Sequence, residues 1–381
     1  MKKLIVILVV VISLVCLKAA HVAWHMRPIG SFQTEKQDIL DRSSYLKGKL
    51  TTSPQSVLDA MPSFIGNQFR GEWALYSCSM YARALTNIAR LYPEQKKESI
   101  ATIDRLIEIV LSSQLREYDY VRWARDPLDD FEGTNSHISY YSHLAWMIGG
   151  YKSIGGDSKY DEVYQHLCAA MNRRIVNSPS MNLPTYPGEP IYVPDMLLAI
   201  AALEEYSQFY DGKYHDTVQR WVDTMKRDYT DSKTGLLNSY ICDGGIAAPI
   251  RGSFAALNCY YLTMVDEEFA RDQYEKLKAN FFQTKRLTGA KEFVDGNSLF
   301  GLDIDSGPII MNLSPSGTAF ALGVITFFDD KDTRTAFLRT AEIAGNTVSI
   351  GGQSHYLLAN LALVGEAITL AARTSANFQN N

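Results

Sequence analysis

Across residues 72–372 the chain repeats one pattern of hydrophobic and polar positions. A segment that is apolar on nearly every side is followed by a short link. A segment with one charged face comes next, and then a long polar loop. The pairs run 72–91 with 95–115, 137–154 with 159–176, 192–210 with 213–229, 253–264 with 267–282, and 316–328 with 331–344. A closing helix is expected over 354–372. Leu197-Leu198-Ala199-Ile200-Ala201-Ala202-Leu203 has no polar side, whereas Tyr214-His215-Asp216-Thr217-Val218-Gln219-Arg220-Trp221 has one. A helix apolar all round is buried, and one with a polar face lies outside. Alternating buried and exposed helices at a period of roughly 60 residues form a supersecondary repeat. About six such pairs closing on themselves predict an all-α, (α/α)6-type toroid of helical hairpins. An open solenoid of pairs is the alternative, and the apolarity of the inner helices favours the ring.

Loop length is asymmetric in this scheme. The links inside pairs are short, as at Gly155-Gly156-Asp157, while 116–136, 177–191, 230–252 and 283–315 are long. All the long loops fall where inner helices begin, and that face is expected to carry function. A small hairpin is expected within 231–243.

The N-terminus follows a different rule. Lys2-Lys3 precede an apolar run over 4–17, and Lys18 and Trp24 follow. A basic start with an apolar stretch is a targeting signal. Cutting after Ala20 or Ala23 would put Lys18 or His21 at the −3 position, so an uncleaved anchor over 1–24 is favoured above a signal peptide. Lys18 would snorkel and Trp24 would sit at the interface. The body would then lie outside the cytoplasm, periplasmic or extracellular, and a cleaved signal would make it secreted. Residues 25–67, broken by Pro54 and Pro62, read as a tether with a packing helix over 38–50, ahead of a toroid domain over 68–381.

Composition narrows the partners. A net charge of −5 and a pI near 5.8 offer no polycationic surface, which argues against nucleic acid. Cys78, Cys168, Cys242 and Cys259 show no CxxC or CxxH spacing, so no zinc site is expected from them. Cys242 and Cys259 are the nearest pair for a disulfide, with buried free thiols the other reading. Neither HExxH, GxSxG, a Walker motif nor a dinucleotide fingerprint occurs. No cofactor and no metal is indicated.

The candidate chemistry lies in the long loops. In the stretch 301–317, Asp303 and Asp305 are two apart, and in extended backbone such residues face the same way. Gly307-Pro308 and Ser314-Pro315-Ser316 supply turn and helix-start chemistry, with Ser306 between them. Glu189 and Asp195 reach the mouth of the third inner helix from a loop stiffened by four prolines. Asp195 also has a plainer reading as a partner of the helix dipole. Arg251 either binds a carboxylate or phosphate, or locks loops together through Asp243 or Asp305. In the first loop Asp126, Asp129 and Asp130 precede Asn135 or Ser136, the expected helix cap. His143, about two turns further, is either a hydrogen-bonded core residue or a cleft acid/base. Trp123, Tyr186 and Tyr192 suit the faces of sugar rings. Tyr76, Cys78 and Tyr81 line the ring centre or pack its core.

The helix-pair arrangement resembles the (α/α) toroid superfamily, the six-hairpin glycosidase-like proteins, over roughly 72–372. That superfamily includes glycoside hydrolases, unsaturated-glycan hydrolases, sugar epimerases and linalool dehydratase/isomerase. Asp126-Pro127 with Asn135-Ser136-His137-Ile138-Ser139-Tyr140-Tyr141-Ser142-His143-Leu144 resembles the dehydratase segment that bears its functional histidine, here His143. The phrases Asp303-Ile304-Asp305-Ser306-Gly307-Pro308 and Ser314-Pro315-Ser316-Gly317 are similar to those of bacterial toroid proteins. Where the dehydratase's paired cysteines would be expected, this chain has Tyr186, Glu189 and Tyr192.

Three functions follow. The first is an exported, membrane-anchored hydrolase or lyase acting on a glycan, with Glu189 as acid and Asp305 as base, and Asp303 or Asp195 as substitute. Tyr186, Tyr192, Trp123, Arg251, Ser306 and Asp126 would bind the substrate. The second is a dehydratase/isomerase on a small alcohol, with His143 moving protons. The third is a non-catalytic envelope protein that binds a glycan or peptide.

Overall fold

The computed structural model describes residues 2–62, 65–242, 249–285, 287–295, 300–303, 305–361 and 363–378. Its helices are α1 (Lys2–Met26), α2 (Phe32–Leu50), α3 (Pro54–Asp59), α4 (Asn67–Leu91), α5 (Lys96–Val110), α6 (Ser113–Trp123), α7 (Ile138–Ser153) and α8 (Asp161–Asn177). They continue as α9 (Val193–Phe209), α10 (His215–Asp228), α11 (Gly252–Leu262), α12 (Glu267–Phe281), α13 (Pro315–Phe327), α14 (Lys331–Gly345) and α15 (Leu363–Arg373).

Six of them close a ring. α4 packs on α7, α7 on α9, α9 on α11, α11 on α13, α13 on α15, and α15 returns to α4. These are the apolar segments of the repeat, and Leu197, Leu198, Ile200 and Leu203 of α9 are wholly buried. Each such side chain contributes about 1.5–3 kcal/mol by leaving water. The amphipathic helices α5, α8, α10, α12 and α14 cover α4, α7, α9, α11 and α13 from outside. The sixth outer position is filled by α2, which packs on α15. The fold is therefore an (α/α)6 toroid.

Close approach inside the ring depends on small residues. A Cβ added to Gly323 of α13 would lie 2.4 Å from the Tyr260 ring of α11. Closure of the sixth hairpin uses buried charge. Arg334 of α14 holds Glu35 of α2 through contacts of 2.5 and 2.8 Å, and Arg373 of α15 reaches Glu35 at 3.1 Å and Asp38 at 2.6 Å.

The expected boundaries shift in two places. The segment read as one helix over 95–115 ends at Val110, and Ser112 starts a new one by accepting a hydrogen bond from the Leu115 amide. The closing helix starts at Leu363, nine residues later than expected, because 347–356 form an antiparallel β-ribbon. Thr347, Val348 and Ile350 favour extended backbone, and Gly351 and Gly352, at φ of +60° and +74°, make its tight turn.

Short antiparallel ribbons decorate the face where the inner helices begin. They pair β1 (Ile191–Tyr192) with β2 (Tyr240–Ile241), and β3 (Phe282–Gln283) with β4 (Gly289–Ala290). They also pair β5 (Phe300–Asp303) with β6 (Gly307–Ile310), and β7 (Thr347–Ile350) with β8 (Gln353–Tyr356). Within 231–243 a turn closes between Thr230 and Leu237, while Tyr240 and Ile241 pair with the second loop instead. Asp243 lies outside the described residues. All five cysteines are free thiols, Cys242 and Cys259 included.

α1 is long and apolar enough over Ile5–Met26 to cross a membrane, with a mean hydropathy of 2.7 and no burial, which fits either a signal or an anchor. Its last turns rest on α14, where Lys18 donates to the Glu342 carbonyl and to the side chain of Asn346.

Candidate active site

Carboxyl groups converge at the mouth of the ring. Glu72 lies near the start of α4 and Asp195 in the first turn of α9. Asp305 sits in the turn between β5 and β6, just ahead of α13. Glu189 comes from the loop before β1. Asp195, Asp305 and Glu189 are placed by the same device, a long loop ending at an inner helix, whereas Glu72 lies within α4 itself. Pro194 and Pro315 begin α9 and α13, and Ser314 caps α13 by accepting from the Gly317 amide at 3.0 Å.

The acids differ in what holds them. Burial, then the negative charge of Asp195, pushes the Glu72 carboxyl up to about 8, against the pull of Arg122. Arg122 stands 3.9 Å away and pairs more closely, at 2.7 Å, with Glu189. Glu189 is thus engaged by a guanidinium and 38 % exposed. Asp195 is raised by burial, although Thr185 donates to it at 2.7 Å and Tyr76 at 3.0 Å. Asp305, whose side chain is 45 % exposed, is pushed up to about 6 by desolvation at the mouth and by Asp303, with Arg251 opposing at 3.8 Å.

Arg251 is the hub of the other wall. It donates to Glu292 at 2.6 Å and to Asp303 at 2.8 Å. Glu292 is fully buried and also accepts from the Ser253 amide and hydroxyl. Burial would raise Asp303, yet Arg251 and the amides of Ser306 and Asp305 hold it below the usual carboxylate range. Asp303 and Asp305 therefore share one guanidinium, as their spacing suggested, but across a tight turn rather than along a strand. The turn is closed by the Asp303–Gly307 pair, with Gly307 at φ +72°. Ser306 is buried there, and its carbonyl accepts from Ser314 and Ser316.

Aromatic rings line this mouth. Tyr192 lies 5.9 Å from both Tyr240 and Phe254, ring centre to ring centre. Its hydroxyl is raised by burial and then by the charges of Glu189, Asp305, Asp195 and Glu72. Tyr186 is buried beneath Arg122, whose guanidinium carbon stands 3.7 Å from the ring centre.

Other sequence candidates lie elsewhere. His143 is fully buried beneath Tyr76, at 4.1 Å between rings, with Nδ1 2.6 Å from Ser79 Oγ. Burial pulls it down to about 3, so it is neutral at ordinary pH, and its buried Nε2 has no hydrogen-bond partner among the described residues. Asp126 is held by Arg116 at 2.8 Å and caps the Leu128 amide. Trp123 packs against His137, which is clamped between Asp119 and Asp130 and takes the cap position at φ +48°. Ser136, one residue before that cap, accepts from the Ile138 amide at 3.3 Å.

Glu72, Arg122, Glu292, Tyr240 and Phe254 escaped the sequence reading. A lone acid near the start of the apolar run at Trp73-Ala74-Leu75 was the available signal for Glu72.

No protein-family model matches the chain, and no curated protein does. Among solved structures it is similar to one described as an unsaturated glucuronyl hydrolase specific for heparin. The TM-score is 0.52 at 12 % identity, over 80 % of this chain and 87 % of that one. The likeness is one of fold. The solved-structure comparison bears out the (α/α) toroid fold, and nothing in it supports the narrower resemblance to linalool dehydratase/isomerase.

Proposed function

We propose that this protein is a glycan-acting hydrolase or lyase, anchored by α1 with its body outside the cytoplasm. One arrangement carries the reading: at the mouth of the toroid, Glu72 and Asp305 lie close enough for the charge of one to act on the other, and Glu72 is the one whose proton is held more tightly. Glu72, pushed up to about 8, is in the form of a proton donor. Asp305, pushed up to about 6, is ionised at neutral pH and suits the base that activates water. These are the two roles glycoside cleavage requires. The acid role moves from Glu189 to Glu72, because Glu189 is tied to Arg122. Asp195 orients the cluster through Tyr76 and Thr185, and Asp303 fixes Arg251.

Tyr192, Tyr240 and Phe254 offer the apolar wall against which a sugar ring packs. The similar fold of a hydrolase described as specific for heparin supports testing uronate-containing glycans first.

The experiment is a panel of neutral and uronate-containing oligosaccharides offered to the wild type, Glu72→Gln and Asp305→Asn. Cleavage by the wild type, with binding but no cleavage by Glu72→Gln, is the expected result. Binding of a glycan without turnover by the wild type would overturn it and leave a binding protein.

A further inference from the structure

We infer that the junction of α1 and α14 is a binding site for a divalent transition metal such as Zn²⁺, which pins the apolar helix to the body. His21 and His25 are one turn apart on α1 and so share a face, with ring centres 4.6 Å apart. Glu342 of α14 faces them, with Oε1 2.9 Å from His21 Nε2. One ligand atom from each of the three lies within 4.8 Å of the others. Tetrahedral Zn²⁺ with bonds near 2.0–2.1 Å places its ligands roughly 3.3 Å apart. The His21–Glu342 edge already has that scale, and a rotation of the His25 ring brings in the third. His25 makes no hydrogen bond to another described residue, so the rotation breaks none.

The carboxylate is built to stay in place. The Thr347 amide donates to Glu342 Oε1 at 2.9 Å and the Thr347 hydroxyl to Oε2 at 2.6 Å. That hydroxyl in turn accepts from Arg42 at 2.7 Å. Outer hydrogen bonds of this kind orient ligands and are part of a metal site's affinity. Two imidazoles and a carboxylate form a set suited to zinc, with the fourth position left for water. Lys18, also on α1, is engaged by Asn346 and by the Glu342 carbonyl rather than by the Glu342 carboxylate. The expectation of no metal rested on cysteine spacing and the HExxH motif. The pair His21-x-x-x-His25 belongs to neither, and its third ligand comes from 317 residues further along the chain.

The test uses the full chain in detergent micelles, purified without a histidine tag and stripped with chelator. Co²⁺ is titrated while visible absorption is followed, and Zn²⁺ is added while the melting temperature is read. One equivalent of Co²⁺ giving the bands of a four-coordinate site is expected, with a Zn²⁺-dependent rise in melting temperature. His21→Ala and His25→Ala should each weaken binding by at least about tenfold and remove the Zn²⁺-dependent rise. Melting in chelator checks that both variants are folded. Absence of stoichiometric binding by the wild type, or binding unchanged in both variants, would overturn the inference.

Discussion

Glu72 is held in a place that favours its proton, and this has a consequence for stability as well as chemistry. A carboxyl whose folded value is raised from 4.5 to about 8 is bound more tightly to its proton in the folded than in the unfolded chain. Folding is therefore penalised as pH rises above the unfolded value, and the penalty is complete above the folded one. Glu72→Gln, neutral at every pH, should raise the melting temperature at pH 8 by more than at pH 5, while abolishing turnover. Equal shifts at both pH values would show that burial does not raise this acid. Little of this was legible in the sequence. Asp303 and Asp305 announce themselves by spacing and breakers, but the state of each acid is set by partners far away in the chain. Arg122 and Glu189 are 67 residues apart, and Arg251 and Asp303 are 52 apart. No local pattern encodes such a meeting.

At the scale of elements, hydrophobic period carried most of the architecture. The all-round apolar runs became α7, α9, α11 and α13, and their charged partners became the outer helices. The boundary failed where alternation replaced period, at the β7–β8 ribbon that precedes α15. Close approach to α11 also explains two glycines. The Cβ of Gly323→Ala would meet the Tyr260 ring at 2.4 Å, so α13 and α11 must separate or the ring must turn. Overpacking of this kind costs about 1–3 kcal/mol, measurable by chemical denaturation. Gly252, first residue of α11, is tighter, because a Cβ there would lie 1.7 Å from the Lys291 carbonyl oxygen. Its neighbour Arg251 holds Glu292 and Asp303, so Gly252→Ala is expected to reduce activity beyond its effect on stability. A variant that loses stability but keeps full turnover would separate this helix start from the site.

For the whole molecule, the decisive joint is between the first and last parts of the chain. α2 completes the ring on α15, and Glu35 is buried among Arg334 and Arg373. Removing one member of such a network leaves buried charges uncompensated, so Glu35→Ala should cost about 3–5 kcal/mol in denaturant unfolding. The same joint sets acid sensitivity. Burial would raise Glu35 and Asp38, but Arg334 and Arg373 hold Glu35 below its ordinary value, and Arg373 and Arg42 hold Asp38 below its own. Depressed carboxyls contribute stability above their unfolded values and lose it as pH falls through their folded ones. Stability should therefore decline below about pH 4, and less steeply in Glu35→Gln than in the wild type.

The most direct test of the account is kcat/KM against pH for cleavage of a uronate-containing glycan by the wild type. A bell is expected, rising as Asp305 ionises at about 6 and falling as Glu72 loses its proton at about 8. A profile flat across that window, or one whose limbs persist unchanged in Asp305→Asn and Glu72→Gln, would contradict the assignment of these two carboxyls as base and acid.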